Sequence, residues 1–156
     1  MIARSIGVAL VLMVLAGGAM AGQKKAVGPE DAVKQLYGDH FKNKQRFDVT
    51  FKQHRALFAK ELLALVDKAD AKQAANPNEV VGLDFDPIIN AQEEASSYEI
   101  KPKVQEAANV VVPVTVNFGK EAINVKVRLA EGPAGTWTIS NLIYEKGDLL
   151  AILKSL

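Results

Sequence analysis

Two aspartates, Asp84 and Asp86, stand two residues apart in Leu83-Asp84-Phe85-Asp86-Pro87, and Asn90, Gln92 and Glu93 follow closely. In an extended segment, positions i and i+2 project to the same side. Paired carboxylates with amide oxygens nearby have the chemistry of a site for a hard cation such as calcium or magnesium. The Asp-x-Asp-x-Asp-Gly spacing of a calcium loop is missing, however. An aspartate next to a proline more commonly shapes a turn or caps a helix, with Pro87 opening a short helical turn. Asp84, Asp86, Asn90, Gln92 and Glu93 are therefore read as a ligand- or partner-binding loop, with no metal and no cofactor assigned.

The remaining reactive side chains are few. His40 falls on an apolar helical stripe and reads as a half-buried packing residue with one ring nitrogen satisfied; His54, beside Arg55, reads as a surface residue. Neither has metal-ligand spacing. There is no cysteine, so thiolate chemistry, disulfides and a lipid-bearing thiol are all excluded. No serine elbow, phosphate loop or zinc motif occurs. No catalytic residue is assigned. The enzymatic alternative is acid–base or hydrolytic chemistry at Asp84 or Asp86 with Tyr37, Tyr98 or Tyr144; the competing expectation puts those tyrosines at a pocket mouth with their hydroxyls in water.

The N-terminus bears on compartment. Met1 to Ser5 holds one basic residue, Arg4, and Ile6 to Gly18 is uncharged and rich in Val, Leu and Ala. Ala19-Met20-Ala21 then supplies small residues at the −3 and −1 positions of a signal-peptidase site. The apolar run is short of the roughly 20 residues that span a bilayer. Residues 1–21 are expected to be a cleaved signal peptide and 22–156 a single domain, periplasmic or secreted, with no membrane span after cleavage. The chain carries 19 Lys plus Arg and 18 Asp plus Glu. Removal of Arg4 with the leader leaves the two signs balanced, which gives no long-range pull toward nucleic acid or anionic lipid.

The elements that must hold the loop follow from periodicity. Val33, Leu36, Tyr37, His40 and Phe41 predict a helix over 28–42, with Pro29 at its first position and Glu30 and Asp31 in its first turn. The alternation Phe47, Val49, Phe51 predicts a short extended piece before a second helix over 54–75, with Phe58, Leu62, Leu65, Val66 and Ala69 as its buried stripe. After the loop come four runs of alternating apolar and polar residues: one around Tyr98 to Val104, one from Val110 to Phe118, one from Ile123 to Leu129 and one from Thr136 to Tyr144. Gly119-Lys120 and Gly132 to Gly135 are hairpin connections. Trp137 and Ile139 fall out of phase with Leu142 and Tyr144, which predicts a bulge. Pro102 and Pro113 are expected at an edge or bulge, and Asp148 as the cap of a closing helix.

This order is α+β: N-terminal helices packed on a curved antiparallel four-stranded meander with a short C-terminal helix. By fold-level analogy it matches a cystatin-like or nuclear-transport-factor-like roll, in which a curled sheet wraps a long helix around a conical pocket. The motifs Asp84-Phe85-Asp86-Pro87 and Asn90-Ala91-Gln92-Glu93, ahead of Trp137-Thr138-Ile139-Ser140-Asn141-Leu142-Ile143-Tyr144, resemble the small bacterial exported proteins of domain-of-unknown-function family thirty-eight twenty-eight. Glu93 departs from the aspartate common there. The resemblance implies the roll and an envelope location, and no reaction. The expected function is a periplasmic binding or interaction protein whose Asp84–Glu94 loop meets an envelope protein or small ligand, with an inhibitor or immunity protein as one concrete form.

Overall fold

The computed structural model describes residues 28–156; the expected signal peptide lies outside them. Three helices, Pro29–Lys42 (α1), Phe47–Gln53 (α2) and Lys60–Ala75 (α3), precede strands Ser97–Ile100 (β1), Val104–Glu106 (β2), Asn109–Phe118 (β3), Glu121–Glu131 (β4) and Trp137–Ile143 (β5), and Leu149–Ser155 (α4) closes the chain. The α+β class is as expected: helices, then an open antiparallel sheet and a short last helix. The sheet has five strands rather than four, because the first run divides around Pro102 into β1 and β2, both paired with β3.

Helix α1 has the expected bounds, with Pro29 in its first turn and its Val33, Leu36, Tyr37 and His40 stripe buried. The segment expected to be extended at 47–51 is helical instead. Phe47, Thr50, Phe51 and His54 fall at i, i+3, i+4 and i+7, and three of the four are buried, but two of them are polar. A count of apolar residues alone therefore shows only the competing period of two. Residues 54–59 do not join the next helix either. Arg55–Leu57 form a 3-10 turn, Phe58 is extended against Ile139, and the Ala59 N–H donates to the Ile139 carbonyl at 2.9 Å before α3 begins at Lys60.

The sheet is a meander, with β3 between β1 and β4 and β5 beyond β4. A two-residue turn containing Gly119 at φ 66° joins β3 to β4. Arg128 pairs with Asn141 and Leu129 with Ile139, so Ser140 is the bulged residue that the phase slip predicts. The carbonyls of Pro113 and Asn117 accept from the N–H groups of Lys101 and Ser96, so odd-numbered residues of β3 turn their backbone groups toward β1. The missing N–H of Pro113 thus faces the break between β1 and β2, where no ladder bond is lost. Even-numbered valines of β3 (110, 112, 114, 116) and Val125, Val127 and Leu129 of β4 form the buried face under the helices. Ile88 and Ile89, from the loop between α3 and β1, join that core at 0% and 1% exposure.

Asp148 caps α4 as expected. Its Oδ1 accepts from the Ala151 N–H at 3.0 Å and from Asn141 Nδ2 at 2.8 Å. The Asn141 bond and then the helix N–H groups hold its carboxyl below the ordinary aspartate range, against the opposing effect of burial. Stability from a carboxyl lowered in this way is fully present above its unfolded value of about 3.9 and is lost as pH falls through the lower folded value. Asp148→Ala is expected to cost about 1 kcal/mol at neutral pH and to flatten the loss of stability below about pH 4, measured by urea unfolding across pH.

Candidate functional site

The stretch from Asp84 to Ala95 is tied to the rest of the protein by its own polar groups. Asp86 forms the start of a tight turn. Its backbone pairs with that of Ala91, N–H to carbonyl, at 2.8 and 3.3 Å, and its Oδ1 accepts from the Ile88 N–H at 2.8 Å. Asn90 takes φ 54°, a left-handed conformation that asparagine tolerates better than most residues. Gln92 Nε2 donates to the Asp84 carbonyl at 3.0 Å. Proline, aspartate and asparagine thus sit where turn chemistry uses them.

Three buried side chains receive this turn. The Tyr37 hydroxyl donates to the Ile88 carbonyl at 2.6 Å and the Tyr144 hydroxyl to the Pro87 carbonyl at 3.0 Å. His40 is fully buried and lies between two partners: its Nδ1 is 3.1 Å from Thr50 Oγ1, and its Nε2 is 2.8 Å from Asp86 Oδ2. The Nε2–Oδ2 contact is short, but neither atom has an aligned hydrogen-bond partner among the described residues. A fourth clamp closes the far end. Gln45, in the turn that follows α1, donates from Nε2 to the Ala95 carbonyl at 2.7 Å and accepts the Ala95 N–H at 2.6 Å. At the near end, Gln73 of α3 accepts from the N–H groups of Val81 and Gly82.

This arrangement corrects several expectations. Asp84 and Asp86 do not share a side: Asp84 is exposed, whereas Asp86 turns inward to His40 and keeps 12% of its side chain exposed. Among the described residues, no group of three or more His, Cys, Asp or Glu is placed to hold a metal ion. His54 is buried rather than superficial, with Nε2 3.1 Å from Asp39 Oδ2. Tyr37 is inside the core rather than at a pocket mouth, and Tyr144, although it lines a surface cleft, turns its hydroxyl inward to the Pro87 carbonyl rather than to water. Burial foremost, then the neighbouring Tyr144 and Asp86 for Tyr37, and Asp86 and Asp148 for Tyr144, push both phenols above their ordinary range. A general acid or base works best with a pKa near the operating pH; these phenols are moved away from it and act as fixed donors. Tyr98 packs its ring on Phe41 and Tyr37 at centroid distances of 4.7 and 5.4 Å. Among the described residues, Asp84 and Asp86 line one surface groove and Tyr144 another.

The outer side of the same loop lines a groove of about 460 Å³. Phe47, Leu83, Phe85 and Ile89 give it an apolar floor, and the exposed Asp48, Asp84, Glu93 and Glu94 stand along it. Asp48 is paired with Arg46 at 2.9 Å. Among the described residues, Asp84, Glu93 and Glu94 have no ion-pair partner within 4.0 Å. Of the predicted site residues, Asp84, Asp86, Gln92 and Glu93 line this groove, while Asn90 serves the turn behind it. The clamps at Gln45, Tyr37 and His40 were not signalled by any motif. Their one trace in the sequence is a polar residue placed on, or just beyond, an otherwise apolar helical stripe.

No family model and no curated protein matches the sequence. Among solved structures, a chain in the type VI native effector–immunity complex Tae3-Tai3 from Ralstonia pickettii is similar in fold, with TM-score 0.56 and 16% identity over 76% of this chain and 96% of that one. A phospholipid-binding protein from Ralstonia solanacearum, solved with a phospholipid, gives TM-score 0.38 and 14% identity over 79% of this chain and 69% of that one. At these identities the first likeness concerns the fold alone, and the second supports no structural comparison.

Removing either hydroxyl leaves a buried carbonyl without its donor, which costs about 1–3 kcal/mol. Tyr37→Phe and Tyr144→Phe are each expected to lower unfolding stability by that amount, and the double variant to depart from additivity because both serve one turn. A phenol raised on folding stabilises fully below its unfolded value of about 10, and that stability is lost as pH rises above it. Tyr37→Phe should therefore also blunt the alkaline fall in stability; denaturant titrations between neutral and alkaline pH measure both effects.

Proposed function

We propose that this chain is an exported protein-binding domain of the immunity or inhibitor type, which meets its partner with the outer side of the Asp84–Glu94 loop. The observation that carries the reading is the two-sidedness of that loop. Its inner side is locked by Tyr37, His40, Gln45 and Tyr144, while its outer side presents, over an apolar floor, carboxylates with no ion-pair partner among the described residues. A pre-formed surface of this kind loses little conformational entropy on binding, and its charge favours fast, selective encounter with a positively charged partner. The fold shared with a chain of an effector–immunity complex supports the same reading.

Export rests on the leader-like residues 1–21 and on the resemblance to family thirty-eight twenty-eight, in which we propose to include this chain. Among the described residues, no helix is long and apolar enough to cross a membrane. The mature form in the envelope is expected to begin at Gly22, which mass spectrometry of a periplasmic extract checks directly; an intact Met1 there would remove the export part of the proposal.

The binding part is tested by charge reversal. Asp84→Lys with Glu93→Lys alters two exposed side chains and is expected to leave the melting temperature within a degree or two, since surface changes away from buried features are nearly neutral. Affinity purification from envelope extract, with wild type and double variant as parallel baits, should yield a partner retained by the first and lost by the second. A partner retained equally by both would contradict the assignment of this surface. For the immunity form, periplasmic co-expression should protect cells from that partner's toxicity.

A further inference from the structure

Strand β4 is longer than its neighbour. It runs from Glu121 to Glu131, but β5 pairs with it only from Lys126 onward, where Lys126 meets Ile143. After Ile143 the chain turns back, with the Tyr144 N–H donating to the Gly147 carbonyl and Ile143 bridging Asp148. Among the described residues, the first part of β4 is thus paired on its β3 side alone. Even-numbered residues of β3 turn their backbone groups toward β4, so their partners Glu121, Ile123 and Val125 face β3. By alternation, Ala122 and Asn124 direct N–H and C=O away from it. A cleft of about 400 Å³ lies at this place, lined by Ala122, Ile123, Asn124, Lys126, Ile143 and Glu145 among others. A second hollow links Ile123 to Gln92 and Glu93, residues that also line the groove of the Asp84–Glu94 loop.

We infer that the partner inserts an extended, lysine- or arginine-bearing segment as an added strand along Ala122–Asn124, continuing from the acidic groove. This deepens the protein-binding reading and rests on it. Backbone groups of the added strand satisfy those of Ala122 and Asn124, and its side chains alternate between pockets, as in other β-strand additions. Its apolar side chains lie on the face that carries Ala122 and Ile143, opposite to that of Glu121 and Ile123. Its basic side chains lie on the other face, beside Glu121 and Glu93; the two hollows together hold Glu93, Glu121 and Glu145 against Lys126 alone. That charge disfavours a second copy of this chain, whose edge would bring the same carboxylates to the contact. The opposite edge of the sheet is unsuited, since Lys101, Pro102 and Lys103 stand between β1 and β2 and such residues blunt edge pairing.

The probe is the peptide acetyl-Lys-Val-Lys-Val-Lys-Val-amide, titrated to millimolar concentration against the mature chain and followed by amide NMR. Shifts confined to 121–125, 143–145 and 92–93 are expected, with amide exchange at Ala122 and Asn124 slowed at least tenfold. Ala122→Pro removes an outward donor without touching the β3 ladder and should weaken binding at least tenfold. The same peptide N-methylated at alternate residues should weaken it equally with no change to the protein, and a glutamate-for-lysine peptide should fail. No binding, shifts at the β1–β2 edge, or equal binding to Ala122→Pro and by the N-methylated peptide each overturn the inference. So does protection that grows with protein concentration in the absence of peptide, the signature of self-pairing. If the envelope partner still binds Ala122→Pro but not the Asp84→Lys, Glu93→Lys variant, strand addition falls and the protein-binding reading stands.

Discussion

The contact between His40 and Asp86, flanked by the Tyr37 and Tyr144 hydroxyls on the carbonyls of Ile88 and Pro87, is the constraint on which the rest of the structure depends. A turn that inserts two isoleucines into a hydrophobic core must bring its own peptide groups with it, and buried peptide groups need partners. Helix α1 supplies one of them, from Tyr37, and the residue after β5 another, from Tyr144, while His40 of α1 faces the Asp86 carboxylate. The cost of ordering this irregular loop is thereby offset by the burial of Ile88 and Ile89, each a side chain whose removal from water is worth about 1.5–3 kcal/mol. Loss of the polar partners would leave that burial in place but with unsatisfied carbonyls, which is why the two sets of contacts belong together.

The same constraint divides the loop into two faces with different tasks. Inner groups are buried and fixed, and the raised pKa values of Tyr37 and Tyr144 follow first from burial rather than from any arrangement for proton transfer. Outer groups are exposed carboxylates above aromatic and aliphatic floor residues. Affinity for a protein partner depends on such local chemistry and on pre-organisation more than on area. The start of β4, which pairs only with β3 among the described residues, lies next to that face, so the proposed partner would engage side chains at the loop and backbone at the sheet edge.

Much of this layout was legible in the sequence. The α1 stripe, the β3 and β4 alternations, the bulge at Ser140 and the Asp148 cap each reflect a local rule that tertiary structure leaves intact. The failures share one physical cause. Thr50 and His54 are polar yet buried, so the stripe of α2 looked like a strand; Asp86 is charged yet turned inward, so a structural carboxylate looked like half of a binding pair. In both cases the partner that makes burial tolerable, His40 or Asp39, is distant in sequence or on another element, and no local pattern announces it. Gln45 and Gln73 illustrate the same limit, since their side chains act on backbone groups that no residue type identifies.

Amide hydrogen exchange of the loop measures most directly whether it is a core-anchored element. The N–H groups of Asp86, Ile88, Ala91 and Ala95, each bonded within the clamp, should exchange with free energies approaching those of the central β3 and β4 amides, because opening them requires disruption of the core. Exchange of these amides orders of magnitude faster than that of β3, with the sheet still protected, would show a loop that opens on its own and would contradict the account.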